Sequence, residues 1–169
     1  MSGPRLVFGI SALEASHVED VVGDLLQLLS APDPTSDPAV ARLVPDAYAD
    51  DDSAAQEFRR LTESDLLARR RADADAVLES ILAAQGAPGE TESSGTHVLE
   101  VALTSPQAAS WLRTLNTLRL VVATRLDIRT EDDHLDGDPR FALYDWLGYR
   151  LDLLVRLLAE ADGSGSRYP

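Results

Sequence analysis

The chain has no cysteine and no lysine. The first absence removes thiol nucleophiles, disulfides, thiolate metal sites and redox sensing by the chain's own thiols. The second removes Schiff-base chemistry and the phosphate lysine of a P-loop, and makes all 15 cationic side chains arginine, which suits bidentate pairing with carboxylates. Basic charge is scarce as well: 29 Asp and Glu give a net charge of −14. That balance disfavours a phosphate backbone as partner, because a nucleic-acid reader gains affinity by releasing counterions from a basic patch. No direct nucleic-acid contact is expected. No apolar run approaches the roughly 20 residues of a spanning helix, and "MSGPRLVFGIS" lacks an apolar signal region, so the expected location is cytoplasmic, with no membrane partner.

Catalytic signatures are missing too. There is no Gly-x-Ser-x-Gly elbow and no Gly-x-Gly-x-x-Gly fingerprint, and the terminal "GSGS" reads as a flexible tail. The three histidines, His17, His97 and His134, stand in no His-x-x-x-His or Glu-x-x-His arrangement that could hold zinc or iron. No catalytic residue, metal or cofactor is assigned from the sequence.

What is present describes a helical domain. The 169 residues are 44% hydrophobic and 26% charged, enough for one core, which we place at residues 1–160 with a flexible tail at 161–169. "RLVFGIS" reads as a strand ending in a cap, Ser11, for a helix carrying Val18, Val21, Val22, Leu25, Leu26, Leu28 and Leu29 on an apolar stripe. "SAPDPTSDP" stops it. A short turn of helix at Ala39–Leu43 precedes Pro45 and the Asp50–Ser53 cluster, read as a loop and cap for a helix over Ala54–Leu61. Thr62 or Ser64 would start the next helix, ending at Gly86.

"THVLEVAL" alternates as a second strand, followed by a cap, Pro106 and a helix with Trp111, Leu115, Leu118, Val122 and Leu126 on one face. The last helix, "FALYDWLGYRLDLLVRLLAEA", is apolar around much of its circumference, so it should lie at the centre or be shared with a second copy in a homodimer. The fold class is therefore mainly α, with five or six helices and a two-stranded sheet near 5–10 and 97–103. Two strand–turn–helix units, "LVFGISALEASHVEDVVGDLL" and "VLEVALTSPQAASWLRTLNTLRL", form a weak internal repeat. Each strand is the other's natural, antiparallel partner, because unpaired backbone groups are costly.

Three clusters invite a chemical reading. "YADDDSAAQEF" crowds carboxylates that could shift one another's pKa, but aspartates before an Ala-rich helix are ordinary capping chemistry. "EDDHLDGDP" places His134 among four aspartates, oxygen-rich but without an EF-hand pattern; it reads as a solvated connector. Arg69, Arg70 and Arg71 precede Asp73 and Asp75, within reach of neutralising pairs along the helix. Arg119 and Asp145 each sit near an apolar face and are expected to form a structural ion pair.

"LVPDAYADDDSAAQEFRRLTESDL", "WLRTLNTLRLVVATRL" and "YDWLGYRLDLLVRLL", spread in order over most of the chain, resemble an actinobacterial family of unknown function encoded beside the ClpS protease adaptor. The resemblance implies a small helical protein without an established enzymatic activity. Some relatives (AosR-like) are described as oxidative-stress regulators that act through a sigma factor with a cysteine pair as sensor. This chain has no such pair, so thiol sensing does not transfer.

The expectation is a non-enzymatic regulatory or interaction protein whose partner is a protein, with a sigma factor or protease adaptor as candidates. Tyr48, Phe58, Arg59, Arg60, Arg69, Arg70 and Arg71 are the candidate interface. The competing class is a small hydrolase or metal-dependent enzyme with a distributed carboxylate and histidine site.

Overall fold

The computed structural model describes residues 6–44, 52–87 and 98–165; Tyr48, His97, Asp50 and Asp51 lie outside them, as does the side chain of Arg59. The described chain runs β1 (Leu6–Ser11), α1 (Ala12–Leu29), α2 (Pro38–Ala41), α3 (Asp52–Gly86), β2 (Val98–Leu103), α4 (Ser105–Arg125) and α5 (Ala142–Gly165), with short 3-10 turns at Pro34–Ser36, Glu131–Asp133 and Pro139–Phe141. α5 continues beyond residue 161, where the tail was expected, to Gly165.

The two strands pair antiparallel, with Leu6 opposite Leu103 and Ser11 opposite Val98. Their period-2 pattern sends Leu6, Phe8, Ile10, Leu99, Val101 and Leu103 into the core and leaves Val7 and Val98 exposed. At Gly9 a Cβ would stand 3.0 Å from the Val98 Cγ1 atom, so any larger residue there would have to displace that side chain. Each strand passes directly into a helix through the same device. Ser11 and Glu14 form a capping box at α1, and Thr104 and Gln107 form one at α4, where proline occupies the first turn. The two units share this local chemistry although their helices end differently. α4 ends in a Schellman motif, with Asp127 at φ 55° and the Ile128 N–H donating to the Ala123 carbonyl at 2.8 Å.

α3 corrects the sequence reading. Instead of a break near Thr62 there is one helix of 35 residues, about 50 Å long at 1.5 Å per residue. No glycine or proline interrupts Asp52 to Gln85, and the Thr62 hydroxyl donates back to the Phe58 carbonyl at 2.7 Å rather than capping a new helix.

The centre is α4, not α5. α4 touches α1, α2, α3, α5 and β2, whereas α5 rests chiefly on α4 and β1. Trp111 of α4 is 2% exposed, meets Phe8 edge-to-face at 5.1 Å and donates from Nε1 to the Ser80 hydroxyl at 2.8 Å, so the buried indole has its polar partner. α5 buries Leu147 and Leu154 but leaves Leu143, Tyr149 and Val155 exposed, which places much of its apolar circumference outside the core.

The expected Arg119–Asp145 pair is not formed. The Asp145 carboxylate accepts from His134 Nε2 at 2.6 Å, while the Arg119 guanidinium lies 4.2 Å over the Tyr144 ring beside Gly148. Tyr144 and Asp145 are successive residues and so point about 100° apart around the helix; the aromatic face, not the carboxylate, meets α4. The ionic tie that does hold α5 was not foreseen. Arg150, 9% exposed, donates to Glu14 and to the Gly9 carbonyl at 3.3 Å, and the Trp146 indole donates to the same Glu14 at 3.1 Å.

Candidate functional site

The carboxylate clusters have structural occupations. Asp133 accepts the backbone N–H groups of Arg129 and Thr130, each at 2.9 Å, and these bonds hold its carboxyl below the usual range. Asp138 is held low in the same sense, first by the Arg140 side chain and then by the Arg140 N–H. His134 packs against Phe141 and Tyr144 and contacts Asp145 and, at 3.5 Å, Asp136. Among the described residues no group of three or more His, Cys, Asp or Glu could hold a metal ion. Asp52 opens α3, where a negative charge favours the positive end of the helix dipole, and His17 is exposed on α1.

The arginine cluster on α3 divides by direction. Arg70 points inward, donating to the Thr117 hydroxyl at 2.8 Å and the Leu43 carbonyl at 3.2 Å; burial holds its pKa below the usual arginine value, with the Asp73 charge opposing. Asp73 does not neutralise Arg69 or Arg71 along the helix, as expected from spacing. It reaches across to α4, taking two bonds from Arg113, each at 2.7 Å, and one from the Ser110 hydroxyl at 2.9 Å. The Arg113 contact holds its carboxyl low. Arg69 is exposed. Arg71 donates to the Leu29 carbonyl at 2.9 Å, a cation at the negative end of α1. Of the proposed interface, then, Arg70 is half-buried and engaged within the fold, Phe58 is 37% exposed, and Arg60 and Arg71 line one cleft.

That cleft, about 310 Å³, is lined by Leu29, Ser30, Ala31 and Pro34 from the end of α1 and the segment after it, and by Arg60, Glu63, Ser64, Leu67 and Arg71 from α3. A second concavity lies on the other side of the last turn of α1. It is a groove of about 270 Å³ lined by Val21, Leu25 and Leu28 of α1, Leu118, Val121 and Val122 of α4, and Leu143 and Leu147 of α5, with Asp24 and Arg125 as its charged members. α4 forms its floor, because α1 and α5 each pack on α4. Arg125 is anchored by Asp37 at 2.6 Å, and that contact holds the Asp37 carboxyl low.

Sequence reasoning read the groove residues as core. The available signal was the width of the α1 stripe: Val18, Val22, Leu25 and Leu29 are buried, while Val21 and Leu28 widen it beyond the part that reaches the interior.

These features define a class: a small, mainly helical protein with a two-stranded sheet, whose described surface carries an apolar groove and a basic cleft on either side of one helix end. A family model described as "Domain of unknown function (DUF2017)" matches residues 1–158, and the chain belongs to that family. Comparison with curated proteins and with solved structures gave no match.

Proposed function

We propose that the chain is a non-enzymatic regulatory protein that acts by binding another protein. The observation that carries this reading is the groove over α4. On both α1 and α4 its lining positions recur at i, i+3, i+4 and i+7, Val21 to Leu28 and Leu118 to Arg125, so the groove follows the helix axes. An apolar trough of that form fits an amphipathic helix, whose own apolar face would insert between α1 and α5. Asp24 and Arg125 supply charges of opposite sign for its polar flanks. The resemblance to a family encoded beside a protease adaptor, some of whose relatives are described as regulators acting through a sigma factor, supports a cytoplasmic partner in transcription or proteolysis, a sigma factor or an adaptor-linked protein.

The test is capture from a native lysate with a photo-crosslinking residue at position 143. The expected result is one protein crosslinked through a helical segment, reproduced with that protein purified, and lost when Val121→Arg places a charge in the trough. Crosslinks that survive Val121→Arg, or a captured protein that does not bind when purified, would overturn the reading.

A further inference from the structure

The cleft between the end of α1 and α3 gathers two arginines that have no carboxylate partner among the described residues. Carboxylates outnumber arginines by 29 to 15; Arg113, Arg125, Arg129, Arg140 and Arg150 each take one as partner, while Arg42, Arg70 and Arg119 are engaged by neutral groups. Arg60 and Arg71 line the same cleft, yet neither forms an ion pair with a described residue. Arg71 has only one of its terminal nitrogens engaged, by the Leu29 carbonyl. The α3 wall is a single helical stripe, Arg60, Glu63, Ser64, Leu67 and Arg71, in which the i and i+11 arginines fall on the same face three turns apart. The wall therefore places two arginines, about 16 Å apart along α3, on one volume, with Ser64 between them and Ser30 opposite. Its floor is apolar, formed with Leu29, Leu67 and Pro34.

We propose that this cleft binds an acidic side chain carried next to an aliphatic one, on a segment of the protein partner. A guanidinium matches a carboxylate in charge and planar geometry, and the serine hydroxyls can donate to its remaining lone pairs. The apolar floor accommodates the neighbouring aliphatic group. Glu63, whose carboxylate accepts from the Thr35 hydroxyl at 3.3 Å, stands on the same wall. Its charge offsets one of the two guanidinium groups, so the cleft carries one net positive charge, which a single carboxylate neutralises and a phosphate dianion would exceed. The choice of a protein as source rests on the protein-binding reading; the chemistry of the cleft does not.

The experiment is a titration of the ¹⁵N-labelled full chain, followed by amide shifts, with N-acetyl-glutamyl-leucinamide, its glutaminyl counterpart and inorganic phosphate. The glutamyl probe is expected to give saturable shifts at Ser30, Ser64 and Arg71. The glutaminyl probe should bind about tenfold more weakly, as should the glutamyl probe to Arg60→Gln, because each change removes a charge-assisted hydrogen bond. Arg60 is exposed, so this variant should keep the rest of the spectrum.

Equal binding of the two dipeptides, insensitivity to Arg60→Gln, or tighter binding of phosphate would overturn the assignment. Val121→Arg, on the other side of α1, should leave the titration unchanged. Dipeptide binding by a protein that captures no partner sinks the protein-binding reading and leaves the chemistry of the cleft standing. Partner capture without dipeptide binding overturns the cleft alone.

Discussion

α5 is attached to the rest of the molecule in two places, and the two attachments are built on different physics. In its first turn Tyr144 lies under the Arg119 guanidinium and Asp145 meets His134, beside a small satellite cluster of Ala123, Ile128 and Phe141 that stands apart from the main core. Trp146, the next residue, and Arg150, a little over one turn beyond Asp145, converge on Glu14, whose carboxylate also closes the α1 capping box. In the first attachment the His134 and Asp145 side chains are 20% and 43% exposed, and at the second the Arg150 and Glu14 side chains are 10% and 30% exposed. Water screens the first pair more than the second, in which the cation is the buried member. A charge pair therefore matters here according to what it displaces, and proximity of opposite charges in a helical projection does not establish which pair forms.

The sharpest way to break the comparison is Arg150→Met. Removing the buried cation leaves Glu14 only its Ser11 and Trp146 donors and frees the Gly9 carbonyl, and should destabilise the fold by about 2 kcal/mol; a urea melt showing less than about 1 kcal/mol would place Arg150 among the surface pairs.

The pH dependence sharpens the same point. Burial pushes the Glu14 carboxyl up, but the Arg150 contact, the Ser11 N–H and the Trp146 indole outweigh it and bring the pKa down from 4.5 to about 2. Because the folded value lies below the unfolded one, the stabilisation is fully present above pH 4.5 and is lost as pH falls towards 2. Melts from pH 6 to 3 should therefore fall less steeply in Glu14→Gln than in the parent protein, with the variant less stable at neutral pH. Parallel curves would show that the carboxylate does not carry this dependence.

Gly148 tests the other attachment in the opposite direction. A Cβ there would meet Arg119 at 3.5 Å, an ordinary contact, so Gly148→Ala should stabilise α5 by about 0.5–1 kcal/mol through helix propensity. A lower melting temperature would mean that Arg119 needs the space. The smallest effect is expected for Asp145→Leu, under about 1 kcal/mol at a pair this exposed. Combined with Arg119→Leu its cost should add, since the two residues make no contact; a coupling above about 1 kcal/mol in the double-mutant cycle would restore the direct pair.

Much of the fold was legible because it is local. Alternation fixed which strand residues face inward, Ser11 and Thr104 carry their capping partners three residues on, and the antiparallel pairing followed from the need of two isolated strands for each other. The break near Thr62 was misread because a hydroxyl that can cap a helix can equally bond to the carbonyl four residues back. Arg119 and Asp145 were misjoined because periodicity gives the face of a residue on its own helix, not its rotation against a neighbour. The Glu14–Arg150 contact spans 136 positions and has no local sign. Of the candidate surface, Arg60 and Arg71 were named, and their spacing on one face could have been read from the sequence. The other wall of their cleft, Leu29 to Pro34, is brought to them only by the packing of α1 on α3.

The Glu14–Arg150 contact also bears on what the sheet can become. A two-stranded sheet has two open margins, and an open margin is a template on which a further strand, from another molecule, can assemble. On β1 the Gly9 carbonyl is occupied by Arg150 and the Ser11 N–H by Glu14 at 3.0 Å. These are alternate residues, so their backbone groups face the same side of the strand. Side chains thus hold the positions that an incoming backbone would need, and the ion pair that joins α5 to α1 also terminates the sheet at β1.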